Sequence, residues 1–188
     1  MIFKELNLKG VFEIKLNPIQ DERGFFVRTY DKEIFQDHSL PTNWTQESHA
    51  LSKNKGTIRG LHFLYPPSTE SKLITMIAGE GFWVFLDVRK KSPTLGQWGT
   101  VILGAEKHNS LFIPKGFANA VCTLTNDCHA LYHMDAMYDD TAKSEIKWND
   151  SELNIPWPIQ SPSVISERDK KAQSFEEFLE KSGGGISV

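Results

Sequence analysis

The segment TIRGLHFLYPPSTESKLITMIAGEGFWVFLDV, residues 57–88, decides how the chain is read. It holds three apolar runs, Ile58–Leu64, Lys72–Ile77 and Phe82–Val88, punctuated by Pro66-Pro67 and by Gly79-Glu80-Gly81. Each run has the length of a strand and is too short for an ordinary helix. No helical pattern separates them, so parallel strands with crossover helices are excluded. Gly79-Glu80-Gly81 reads as the turn of a hairpin joining the second run to the third.

The flanks extend the same pattern. Upstream, Val11–Leu16 alternates Phe12, Ile14 and Leu16 with polar neighbours until Asn17-Pro18 breaks it. Asp21–Gly24 is a tight turn, Phe25–Tyr30 a strand, and Asp31 an N-cap for a short helix over Lys32–His38. Trp44–Ala50 is a further strand, with Trp44, Gln46 and Ser48 on one face and Thr45, Glu47 and His49 on the other. Downstream, Arg89–Trp98 is a loop, and Thr100–Leu103, Ser110–Ile113, Ala120–Leu124 and His129–Met134 are strands. Residues 137–163 read as irregular. Ser174 and Glu177 form a capping box for a last helix, Phe175–Lys181. The glycine-rich segment after it, 182–188, is expected to fray. Many short strands and few helices make an all-β sandwich or barrel. With no repeat or linker, residues 1–188 read as one domain.

Composition narrows the function. The net charge is −3 and the pI about 6.1, so neither a nucleic-acid nor a membrane surface rests on bulk charge. Phe82–Val88 is too short to span a bilayer and ends against Asp87 and Arg89. Lys4 and Glu5 stand where a secretory signal would be apolar, which points to a cytoplasmic protein. Cys122 and Cys128 then read as free structural thiols.

Residues 57–72 also concentrate chemistry: Arg59, His62 and Lys72 around Gly60. Strict alternation puts Arg59 and His62 on opposite faces of a strand, but a bulge at Gly60 would re-aim one of them. Taken alone, His62 fits a hydrogen-bonded structural histidine, a metal ligand or a general base. Tyr132 fits a buried tyrosine with a bonded hydroxyl or a general acid. No nucleophile elbow, phosphate loop or dinucleotide fingerprint is present.

Several strings settle more than these residues do separately. DERGFF (21–26), RGLHF (59–63), KL (72–73) and DVRKKSPTLGQW (87–98) are followed by IPKGFA (113–118), LYH (131–133), IKWND (146–150) and SERD (166–169). In order and spacing they resemble the dTDP-4-dehydrorhamnose 3,5-epimerase family, over roughly residues 21–169. The resemblance implies a cupin-like double-stranded β-helix, or jelly roll, with short peripheral helices. It implies epimerisation of a nucleotide-linked 4-keto-6-deoxy sugar at C3, C5 or both. By resemblance, His62 is the base and Asp169 its carboxylate partner, Lys72 stabilises the enolate oxygen at C4, and Tyr132 is the acid on the opposite face. Arg59 and Arg23 hold the diphosphate, Phe26 lies on the base, and Gln46 and Tyr138 line the pocket. Arg23 and its strand come from a neighbouring subunit, which implies a homodimer. No metal or redox cofactor is required. A cupin metal site would add histidines at residue 64, which is Leu64, and at residue 119, which is Asn119.

The chain departs from the family pattern at four positions. Arg28 replaces a Glu that reads thymine, Asn119 a His, Ser48 an Asn and Lys143 a Glu. Arginine only donates hydrogen bonds, and guanine offers O6 and N7 as an acceptor pair. Arg28 therefore favours a GDP-linked sugar over a dTDP-linked one. The altered residues Ser48, Asn119 and Lys143 suggest a changed sugar pocket, with a heptose as one candidate and C3-only epimerisation or silent binding as alternatives.

Overall fold

The computed structural model describes residues 1–188 as two packed antiparallel sheets and a separate two-stranded hairpin. The strands are β1 (Ile2–Glu5), β2 (Phe12–Lys15), β3 (Ile19–Asp21), β4 (Gly24–Phe26), β5 (Gln46–Ser52), β6 (Ile58–Leu64) and β7 (Lys72–Ala78). They continue with β8 (Glu80–Asp87), β9 (Trp98–Gly104), β10 (Asn109–Ile113), β11 (Phe117–Thr123), β12 (Cys128–Met134) and β13 (Lys143–Glu145). Three short helices complete the chain: α1 (Lys32–Asp37), α2 (Glu167–Lys170) and α3 (Phe175–Ser182). One sheet has the order β1-β2-β10-β7-β12-β5, the other β13-β6-β11-β8-β9. From β5 to β13 the chain changes sheet at every step except β8 to β9. That winding is the cupin-like jelly roll.

It corrects the hairpin expected at Gly79. β7 pairs with β10 and β12, while β8 pairs with β11 and β9, so the turn carries the chain from one sheet to the other. Gly79 has φ +72°, and a Cβ there would come within 2.5 Å of Thr125 Oγ1, so the crossing needs glycine. A local turn signal cannot say which strands pair after it.

Apolar side chains fill three layers. Ile74, Met76, Leu111 and Ile113 meet Trp83, Phe85, Phe117 and Val121 between the sheets. Phe35 of α1 covers Ile14, Leu73 and Phe112 on one outer face. Phe175 and Phe178 of α3 cover Phe63, Val84, Leu86 and Ala120 on the other. Burying such a phenylalanine is worth about 1.5–3 kcal/mol. Because both faces of each sheet are covered, the central strands β10 and β11 are buried at every residue. Their sequences accordingly show weak alternation.

The edges differ from expectation. The strand read over Phe25–Tyr30 ends at Phe26, and the 137–163 segment contains β13. The 182–188 segment does not fray. Gly183 caps α3 in the left-handed region, and the Ile186 N–H donates to the Val88 carbonyl at 2.8 Å while its carbonyl accepts from Lys90 at 2.7 Å. Ile186 itself is buried in the outer layer, and that burial holds the tail.

Candidate active site

β6 positions the central group. Asn119 of β11 faces His62, and Val121 faces Arg59, so two steps along β11 match three along β6. This is the bulge anticipated at Gly60, and it turns Arg59 and His62 to the same face of the strand. Gly60 has φ +123°, and a Cβ on it would lie 2.4 Å from the Ala120 Cβ. Only glycine fits there.

Asp169 reaches His62 from far along the chain. Ser166 caps α2, its Oγ accepting from the Asp169 N–H at 3.0 Å. The Asp169 carboxylate is 3% exposed and meets His62 Nε2 at 2.7 Å. Its second oxygen accepts from the Gly60 N–H at 3.4 Å. Burial works to raise this carboxyl, but the His62 bond and charge, with Gly60 and Ser166, outweigh it and hold it below the usual carboxylate range. An ionised Asp169 fixes the imidazole orientation through its bond to Nε2. His62 Nδ1 is the nitrogen left free.

Lys72 opens β7 and donates to Asn119 Oδ1 at 2.7 Å, with the Glu70 carboxylate 3.2 Å from the same ammonium. Tyr132 lies on β12 with its ring edge-on to Trp83, the centroids 5.8 Å apart. Burial pushes its hydroxyl up to about 12, the Arg59 charge opposing the shift, so it is a protonated donor at neutral pH. Arg59 is held by Ser52 Oγ and the Leu51 carbonyl, each at 2.9 Å. Ser48 pairs directly with Tyr132, and Gln46 with Met134, across β5 and β12. Gln46 donates to the Ala136 carbonyl at 2.6 Å.

His62 stands between two clefts. One, of about 240 Å³, is lined by Arg59, Ser166, Arg168 and Asp169. The other, of about 150 Å³, is lined by Glu70, Lys72, Tyr138, Lys143 and Arg168. Asp140 accepts from Tyr138 and Lys143 at the rim of the second cleft, and Glu145 pairs with Arg168. Glu70 and Arg168 were not singled out from sequence. Glu70 precedes β7, so no strand alternation marks it, and a glutamate near a lysine is ordinary in sequence. The Ser166–Asp169 spacing, by contrast, is a helix-start signature.

Arg23, Phe26 and Arg28 are not brought to His62 within one chain. The β3–β4 hairpin pairs only with itself, Phe26 is 67% exposed, and Arg23 bonds Asp21. Arg28 pairs with Asp31 at 3.1 Å and shares a groove with Phe26, Ile19 and Ile34. No three His, Cys, Asp or Glu side chains converge as metal ligands. Both cysteines are free and buried, and burial, with Cys128 close by, pushes the Cys122 thiol up to about 11.

Residues 5–177 match the family profile described as dTDP-4-dehydrorhamnose 3,5-epimerase. The chain belongs to that family. The dTDP-4-dehydrorhamnose 3,5-epimerase of Shigella flexneri is 37% identical over 166 residues, 88% of this chain and 90% of that one. The crystal structure of the Bacillus anthracis dTDP-4-dehydrorhamnose 3,5-epimerase, with TDP and PPi bound, superimposes with a TM-score of 0.89 at 36% identity, covering 93% of this chain and all of that one. A 3'-monoepimerase from Streptomyces bikiniensis, solved with dTDP-quinovose, gives 0.88 at 26% identity, covering 97% and 92%. Membership in the dTDP-4-dehydrorhamnose 3,5-epimerase family makes the chain an isomerase acting on a nucleotide-linked sugar. No helix is long and apolar enough to cross a membrane.

Proposed function

We propose that the protein epimerises a dTDP-linked 4-keto-6-deoxy sugar at C3 and C5, without metal or redox cofactor. The observation that carries this reading is the His62–Asp169 pair at 2.7 Å, turned by the Gly60 bulge onto the same face as Arg59. The C4 ketone acidifies the neighbouring C–H bonds. His62 removes a proton from one face of the ring, the Lys72 ammonium stabilises the enolate oxygen, and Tyr132 returns a proton from the other face. Arg59 holds the diphosphate, with Gln46, Ser48, Asn119 and Tyr138 along the pocket.

Arg23, Phe26 and Arg28 reach the site from a second copy of the chain. Support comes from the β3–β4 hairpin, which leaves Ile19, Phe25 and Phe26 exposed and unpaired with either sheet. An apolar hairpin of that kind is suited to a partner surface.

The nucleotide reading revises the one drawn from Arg28. Its guanidinium is engaged by Asp31, and the two structural relatives described above hold TDP or dTDP-quinovose. No feature of the clefts favours a heptose. Calorimetry is expected to show tighter binding of dTDP than of GDP; the reverse order would restore guanine as the base read by Arg28. The reaction itself is tested in D2O with a dTDP-4-keto-6-deoxyhexose, following the C3 and C5 protons by NMR. Loss of both signals is the expected result, loss of one names a single position, and no exchange would sink the enzymatic reading. In His62→Ala, exchange is expected to vanish while dTDP still binds.

A further inference from the structure

We infer that Glu70 is a positioning residue: together with Asn119 it forms a mount that fixes the Lys72 ammonium where the enolate oxygen develops. The inference rests on the reading of Lys72 proposed above and adds to it a residue with no role so far. Lysine is a flexible four-carbon chain ending in a rotating ammonium. Left free, it would have to be ordered in each catalytic cycle. Here the ammonium is held from two sides, by Asn119 Oδ1 at 2.7 Å from β11 and by the Glu70 carboxylate at 3.2 Å from the segment leading into β7. An ammonium has three N–H donors, so two neighbours leave capacity for a substrate oxygen.

The mount is itself anchored. Thr69 and Ser71, on either side of Glu70, are buried, and the Ser71 N–H donates to Asp135 Oδ1 at 2.7 Å. Ser68 Oγ donates to Asp139 Oδ2 at 2.8 Å. The Glu70 side chain is only 10% exposed and lines the small cleft beside His62. A carboxylate in that position is expensive unless it has a fixed counter-ion. The same pairing that satisfies Glu70 orients Lys72. Asn119 is neutral and does not titrate, so its half of the mount accepts from Lys72 in the same way at every pH.

A group that acts only through Lys72 has no effect once Lys72 is gone. The test is a double-mutant cycle with Glu70→Ala, Lys72→Ala and the double variant, using C–H exchange and steady-state kinetics on the dTDP-linked substrate. Glu70→Ala is expected to lower kcat by about 10²-fold, the cost of a misplaced catalytic group, with KM within about twofold. Glu70→Gln, which retains an acceptor, is expected to recover most of that loss. In the Lys72→Ala background, removing Glu70 is expected to change the rate less than about twofold. Equal losses in both backgrounds would overturn the mount, as would a raised KM with unchanged kcat. If Glu70→Ala fails to fold, Glu70→Met, which fills the space but offers Lys72 no carboxylate or amide acceptor, takes its place in the cycle under the same criterion. Wild-type exchange in Lys72→Ala would instead remove the reading of Lys72 and the mount with it.

Discussion

Inversion at carbon needs two groups on opposite sides, and their surroundings suit His62 and Tyr132 to the roles proposed for them. Asp169 is kept ionised beside His62 and holds the imidazole in place through Nε2. Tyr132 is kept protonated by burial, which favours proton delivery. The two roles separate experimentally in Tyr132→Phe. His62 still labilises the C–H bond in that variant, so deuterium exchange is expected to persist. Formation of inverted product is expected to fall by about 10²–10⁴-fold, the usual worth of a general acid. Equal loss of exchange and inversion would show that Tyr132 does not serve as a separate acid. At this scale His62, Lys72 and Tyr132 were legible from residue type and resemblance. Glu70 was not, because a glutamate near a lysine is ordinary until both are seen buried together.

The element on which most depends is β6, and its bulge is a single residue wide. Ala120 and the Asn119 carbonyl press against Gly60, each within 2.6 Å of where a Cβ would stand. Gly60→Ala adds a methyl group to that contact and strains a positive φ. The expected outcome is a loss of about 1–3 kcal/mol or more in chemical denaturation. Any folded fraction should lose activity, since Arg59 and His62 no longer share a face. Unchanged stability would mean that the strand tolerates a regular register. The bulge was foreseen from the position of Gly60 between two polar residues. The sheet-to-sheet crossing at Gly79 was not, because pairing partners are non-local. The short strand β13 was hidden for a related reason: its residues, Lys-Ser-Glu, carry no strand pattern and are held by β6 alone.

At the scale of the molecule, one chain holds His62, Lys72, Tyr132, Arg59 and Asp169 in a single fold, while Arg23, Phe26 and Arg28 stand apart on the hairpin. Arg23→Ala and His62→Ala should each be inactive alone. Mixed and allowed to exchange subunits, they are expected to regain activity. Each mixed pair then holds one site with an intact His62 and an intact Arg23 supplied by the other chain. No recovery despite demonstrated exchange would place the hairpin on its own chain's site.

By itself the sequence determined the all-β class, the family, and the residue types available for proton transfer. These are carried by local periodicity, by glycine and proline positions, and by strings of residues in a fixed order. Only the tertiary structure decided which strands pair and that the tail docks through Ile186, and it gave the Asp169–His62 pairing expected from the resemblance its geometry, 2.7 Å across 107 residues of chain. It also decided that Asn119 and Glu70 converge on Lys72. Such contacts depend on the closing of two sheets over one another. No residue's neighbours along the chain specify what will face it across that interior.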